Sequence, residues 1–113
     1  MKRIQDCDFH DGQILSISIS NTCVDVLFEK WNGDKVKLFF DDYFAIRDYH
    51  SIGQRTSGMI MNSSKEIMDA TIDFVLNDGG SEELIGLNSY SFLNSCGDKM
   101  IFEIVARNER IDE

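Results

Sequence analysis

Residues 13–20 read QILSISIS and residues 23–30 read CVDVLFEK, and the two stretches together decide the fold. In the first, Leu15, Ile17 and Ile19 alternate with Ser16, Ser18 and Ser20, the period-2 pattern of a strand with one face buried. Asn21 and Thr22 interrupt the pattern. The second stretch resumes it, with Val24, Val26 and Phe28 inward against Asp25 and Glu29 outward. Two alternating runs around a two-residue break predict a β-hairpin. Asn32-Gly33 then favours a tight turn with positive φ. The next run, KVKLFF, sets Val36, Leu38 and Phe40 against Lys35, Lys37 and Phe39, which predicts a third strand and an antiparallel meander.

Further along, the pattern is less regular. DDYFAIRDYHS (41–51) opens on two aspartates suited to N-caps and lacks clean alternation, so it reads as a short helix or an irregular crossing loop. The polar IGQRTSGMIMNSSKE (52–66) leaves room for a short strand at 59–61. In ATIDFVLND (70–78), Ile72, Phe74 and Leu76 alternate with Thr71, Asp73 and Val75, which predicts another strand. DGGSEELIGLN (78–88) combines a Gly79-Gly80 turn with a helical turn capped by Ser81, with Glu82 and Glu83 behind it. Residues 90–93 and 99–107 form the arms of a second hairpin, with Gly97 in the connection. Met100, Phe102, Ile104 and Ala106 share one of its faces. The charged tail NERIDE is expected to fray. The whole, residues 1–113, reads as a single mainly β (β-rich α+β) domain. A meander plus a C-terminal hairpin would form a curved sheet or small sandwich, with at most one or two short helices.

At 113 residues the chain suits one domain. Eight Phe, three Tyr and one Trp supply bulky core material, so disorder is not expected. The start MKRIQDCDFHDG meets polar residues before any apolar run forms, which argues against a signal peptide. No apolar run approaches the roughly 20 residues needed to span a bilayer as a helix. Cys7, Cys23 and Cys96 are widely spaced and contain no CxxC pair, the usage of free thiols in a reducing cytoplasm. Twenty acidic residues oppose eleven basic ones, a net charge of −9. Such a surface repels nucleic acid and anionic membranes, and it steers a basic protein partner inward.

DFHDG (8–12) holds the most concentrated chemistry. Asp8, His10 and Asp11 are standard ligand types for a metal, and His10 beside an acid could serve as a general base. The only other histidine is His50, and no metal-binding spacing occurs. Asp11-Gly12 is itself a turn signal before the first strand, so a locally hydrogen-bonded turn is the preferred reading, with partner contact and metal binding behind it. No nucleophile elbow or phosphate-binding glycine loop is present, and no cofactor or catalytic residue is assigned. Trp31 reads as an exposed interface anchor or as a lid over the end of the core. Asp41, Asp42, Tyr43, Asp48, Tyr49 and His50 mix acids and aromatics in the irregular middle and complete the candidate partner-facing set.

FHDGQILSISIS (9–20) followed by VDVLFEKWNGDKVKLFF (24–40) resembles a group of small uncharacterised bacterial proteins. These open with a Phe-His-Asp-small-residue turn running into a β-meander, and some are similar to immunity proteins of polymorphic toxin systems. The resemblance covers mainly residues 9–46. Phe9, His10 and Asp11 match it, and Gly12 suits the small position. It implies inhibition by binding, with an acidic, non-catalytic protein held against a basic toxin, and it brings no catalytic residues. Two other readings stand beside it. One is a small-molecule- or metal-binding β domain, possibly enzymatic, that uses His10 and the nearby acids. The other is a homo-oligomer joined through strand edges.

Overall fold

The computed structural model describes residues 3–63, 65–77 and 86–112. After a 3-10 turn at Ile4–Asp6 come β1 (Gln13–Ile19), β2 (Cys23–Glu29), β3 (Lys35–Asp48) and β4 (Thr56–Met61). Then follow α1 (Lys65–Asn77), β5 (Asn88–Asn94) and β6 (Met100–Asp112). The six strands form one antiparallel sheet in the order β1-β2-β3-β6-β5-β4. The protein is therefore mainly β, with one helix and a short 3-10 turn among the described residues.

The meander forms as its alternation dictates. Val24, Val26, Phe28, Val36, Leu38 and Phe40 are all buried, and Gly33 takes φ +89° in the turn between β2 and β3. β1 differs in one place. A bulge falls between Ile14 and Ser16, so Ile14 rather than Leu15 faces Phe28 in the core. The extra residue restores the parity downstream: Ile17 lies opposite Val26 and packs on the core. Ile19, opposite Val24, is beyond the core and exposed.

Three segments depart from the sequence expectation. Residues 41–48 are neither helix nor loop but the second half of β3. Asp42 adopts φ +53° and a bulge follows between Tyr43 and Ala45, which breaks the alternation that would have marked a strand. Residues 70–77 belong to α1, not to a strand: Ile67, Thr71 and Val75, four apart, make its buried stripe, while Phe74 and Leu76 are exposed. Residues 108–112 do not fray, because β6 continues to Asp112 opposite the first half of β3. The expected turn at Gly79-Gly80 and the cap at Ser81 with Glu82 and Glu83 lie outside the described residues.

The sheet curls around one core. The chain entering β1 is hydrogen-bonded to the chain entering β4, at opposite edges of the sheet: Asp11 N–H donates to Thr56 O (2.8 Å) and Thr56 N–H to Gly12 O (2.9 Å). The Thr56 hydroxyl donates to Phe9 O, and Gly53 N–H donates to Ile14 O (2.9 Å). Phe9 sits in the seam, edge-on to Phe28 of β2 (5.0 Å) and Phe92 of β5 (5.1 Å). Ile4 and Cys7 join the same cluster, so residues 4–9 close the open side of the curl. Gly12 passes against the Phe28 ring so tightly that a β-carbon there would lie 2.3 Å from Phe28 Cζ and 2.6 Å from Glu29 O.

Phe9→Ala should therefore cost about 3–5 kcal/mol, from lost burial plus the cavity left behind, and Gly12→Ala about 1–3 kcal/mol from overpacking. His10→Ala, between them in sequence but exposed, should stay within about 0.5 kcal/mol. Urea denaturation of the three variants measures this, and a His10 effect as large as that of Phe9 would refute the structural role given to the turn.

Candidate functional site

The DFHDG turn is built from its own hydrogen bonds. Asp8 Oδ1 accepts from His10 N–H (3.0 Å), and His10 Nε2 lies 3.3 Å from Asp11 Oδ2, with both side chains exposed. Asp11 takes φ +54°, which aims its N–H at Thr56 O across the seam. Arg55 Nη1 donates to Asp11 O at 2.8 Å. Asp8, His10 and Asp11 are thus gathered at the seam between β1 and β4. Among the described residues, no three His, Cys, Asp or Glu side chains are placed to hold a metal ion.

The residues expected to face a partner do not form one site. They are strung along β3, and the protein is 45 Å in its longest dimension. Trp31 lies in the turn before β3 and is 64% exposed, an arrangement that excludes the lid over the core. Asp41, Asp42 and Tyr43 lie midway, beside the β1–β2 turn. The Tyr43 hydroxyl donates to Ser20 O (2.9 Å) and Asp42 N–H to Thr22 O (2.8 Å). At the far end of β3, Asp48 Oδ1 accepts from Ser51 N–H (2.9 Å), bracing the corner that carries Tyr49 and His50. Gln54 ties this corner further, its side-chain amide donating to the carbonyls of Tyr49 and His50. Tyr49 is 51% exposed and borders a hollow of about 500 Å³ with Arg47, Gln54, Asn94, Lys99 and Ile101.

The charge on Asp41 is already engaged. Arg110 donates to it through Nε (2.8 Å) and Nη2 (3.2 Å), and this pairing holds the Asp41 carboxyl below its usual range. Arg110 in turn covers the Phe39 ring at 4.6 Å. Cys23, opposite Asp41 in the β2–β3 register, donates its thiol to Asp25 Oδ1 (3.2 Å). Burial, and then the carboxylates of Asp25 and Asp41, push the thiol pKa up from 9.0 to about 12. A nucleophilic cysteine needs the opposite environment.

One charged cluster escaped the sequence reading. Glu103 is fully buried on the face of β6 opposite Phe102 and Ile104, and its Oε2 accepts from Arg47 Nε at 2.8 Å. Arg47 Nη1 also donates to Glu66 Oε1 (2.9 Å), which ties α1 to the sheet. Ser91, directly across from Glu103, and Ser89 are buried beside it, and neither their hydroxyls nor Glu103 Oε1 has a hydrogen-bond partner among the described residues. The available signal was one acid inside the apolar run MIFEIVA, which marks a strand covered on both faces.

No family model matches this chain, and no curated protein or solved structure matches it either.

Two outcomes follow from these geometries. Arg47→Ala leaves the buried Glu103 carboxylate unpaired and should cost about 3 kcal/mol, whereas Arg47→Met with Glu103→Met should recover most of the loss in urea melts. The high thiol pKa keeps Cys23 protonated, since thiolate accumulates only as pH approaches 12. Iodoacetamide at pH 8.5 should then modify the exposed Cys96 and spare Cys23, as read by peptide mass spectrometry. Equal labelling of the two would refute the assignment.

Proposed function

We propose that this chain is a non-catalytic protein-binding module, an immunity-type inhibitor that acts in the cytoplasm by holding a basic toxin. The observation that carries this reading is an acidic surface studded with unabsorbed aromatic side chains. The net charge is −9, and Trp31 and Tyr49 stand out from the sheet instead of packing into it. Exposed Trp and Tyr are the side chains most often found as interface anchors, and the charge supplies long-range attraction to a basic surface. Two further features support a binding rather than a chemical role: the Asp11 backbone is used in the seam, and the Cys23 thiol is held protonated beside Asp25 and Asp41. A toxin that handles nucleic acid must be basic to hold its substrate, and this surface is its electrostatic complement.

The test is purification of a tagged copy from its native cell at low salt, followed by reconstitution of the complex from pure components. One stoichiometric basic partner is expected, and its association rate should fall about tenfold or more between low and high ionic strength. A chain that emerges alone, or a complex indifferent to salt, would sink the proposal.

A further inference from the structure

Charge is distributed over the strands in an unusual way. β2, β3 and β6 carry charged residues, whereas β1, β4 and β5 have none. β5 lies inside the sheet, but β1 and β4 are its two edges. Edge strands are ordinarily guarded against pairing with another chain by lysines, prolines or a covering segment. Here residues 12–24 hold no charge, and the chain has no proline. β4 is guarded by cover: Thr56 is tied to Phe9, Asp11 and Gly12, and the 3-10 turn at Ile4–Asp6 packs beside the strand. β1 shares such cover only at its start, where Ile14 O accepts from Gly53 N–H. Past the bulge, no strand or loop among the described residues hydrogen-bonds to its outer side.

The hairpin fixes which groups are left over. Ser20 N–H donates to Cys23 O (2.9 Å), so these two residues form a hydrogen-bonded pair. Such pairs alternate along an antiparallel ladder. The register therefore turns the backbone groups of Ser18 and Ser16 toward Asp25 and Leu27 of β2. Ile17 and Ile19 aim their N–H and C=O groups away from the sheet. Their side chains share the core-side face: Ile17 packs on the core, and Ile19 is 58% exposed beyond it.

We propose that the outer edge of β1 is a docking surface for a second copy of this chain, joined antiparallel about a two-fold axis beside Ser18. Ile17 pairs with Ile19 of the second copy, and Ile19 with its Ile17, so each outward N–H meets a C=O. The strand is its own complement, and the two-fold axis closes the contact after two chains. Exposed Ile19 is laid against Ile17 of the second copy, and the two Ser18 side chains meet on the other face. The net charge of −9 does not oppose this contact. The acid nearest in register, Asp25, stands opposite Ser18, so its two copies lie three strand spacings apart, about 14 Å. That exceeds the screening length of about 8 Å at physiological salt. A basic partner, by contrast, finds no carboxylate on β1 to pair with. The contact goes beyond the binding-module reading and stands or falls without it.

The test is sedimentation equilibrium of the full chain at concentrations up to about 1 mM, in reducing buffer because Cys96 is exposed. A reversible monomer–dimer equilibrium is expected, and raising the salt should hold or tighten it. Amide hydrogen exchange locates the contact. Ile17 and Ile19 should exchange freely in dilute samples and about tenfold more slowly where the dimer predominates, while Ser18 is protected in both. Ile19→Lys should weaken association about tenfold or more, by setting a charge against Ile17 of the second copy. Its site is exposed, so dilute urea melts should overlay the parent within about 0.5 kcal/mol. Trp31→Ser should change association less than about twofold. A chain that stays monomeric throughout, or a dimer that high salt dissolves, would overturn the proposal. So would a dimer that protects other amides and is indifferent to Ile19→Lys.

Discussion

Phe9 is the contact on which the rest of the sheet depends. A six-stranded antiparallel sheet with one apolar face can stay open and cover that face with another layer, or it can curl upon itself. Here Phe28 and Phe92, from strands that are not neighbours, come within 6.2 Å of one another, and Phe9 stands edge-on to both. The wedge is held by backbone rather than by side-chain chance. Phe9 O, Asp11 N–H, Gly12 O and Ile14 O are spent on Thr56 and Gly53, at the other edge of the sheet. Edge strands ordinarily carry unpaired backbone groups, and joining the two edges where they start removes part of that liability.

The opposite face is governed by charge. Glu103 is taken wholly out of water, which costs several kcal/mol unless a partner meets it. Arg47 is that partner, and it also reaches the exposed Glu66 in the first turn of α1. The helix contributes little apolar burial of its own, chiefly Ile67 and Val75, and on the same face of the sheet as Glu103 the buried Ser89 and Ser91 hydroxyls find no hydrogen bond among the described residues. The inner face thus stores the stability of the fold. The outer face is polar and more weakly packed, and its helix carries the exposed acid and aromatic side chains.

How far the sequence could be read depended on what each signal measures. Alternation reports one buried face, and it located β2 and the first half of β3 because Val24, Val26, Phe28, Val36, Leu38 and Phe40 all point into one core. It failed at residues 41–48, where the positive φ at Asp42 and the following bulge shift the register. It misled at residues 70–77, where Ile72, Phe74 and Leu76 alternate by coincidence while the buried residues recur every four. The tail 108–112 looked unstructured because its charges say nothing of a free strand edge waiting on β3. The candidate site divided in the same way. Acidic character was legible, but which acids were already paired was not, and the sequence left Trp31 open between an exposed anchor and a lid over the core.

By itself, the sequence determined the β-rich class, the N-terminal meander, the turn at Asp11-Gly12 and the acidic balance. Each of these is a local or summed property of residues near one another in the chain. Only the tertiary structure decided that Phe9 joins β2 to β5, that Arg47 pairs with Glu103 and Glu66, and that Asp41 is neutralised by Arg110. Each of those contacts joins residues far apart in sequence, and no local period or composition encodes which distant partner will meet a given side chain once the sheet has curled.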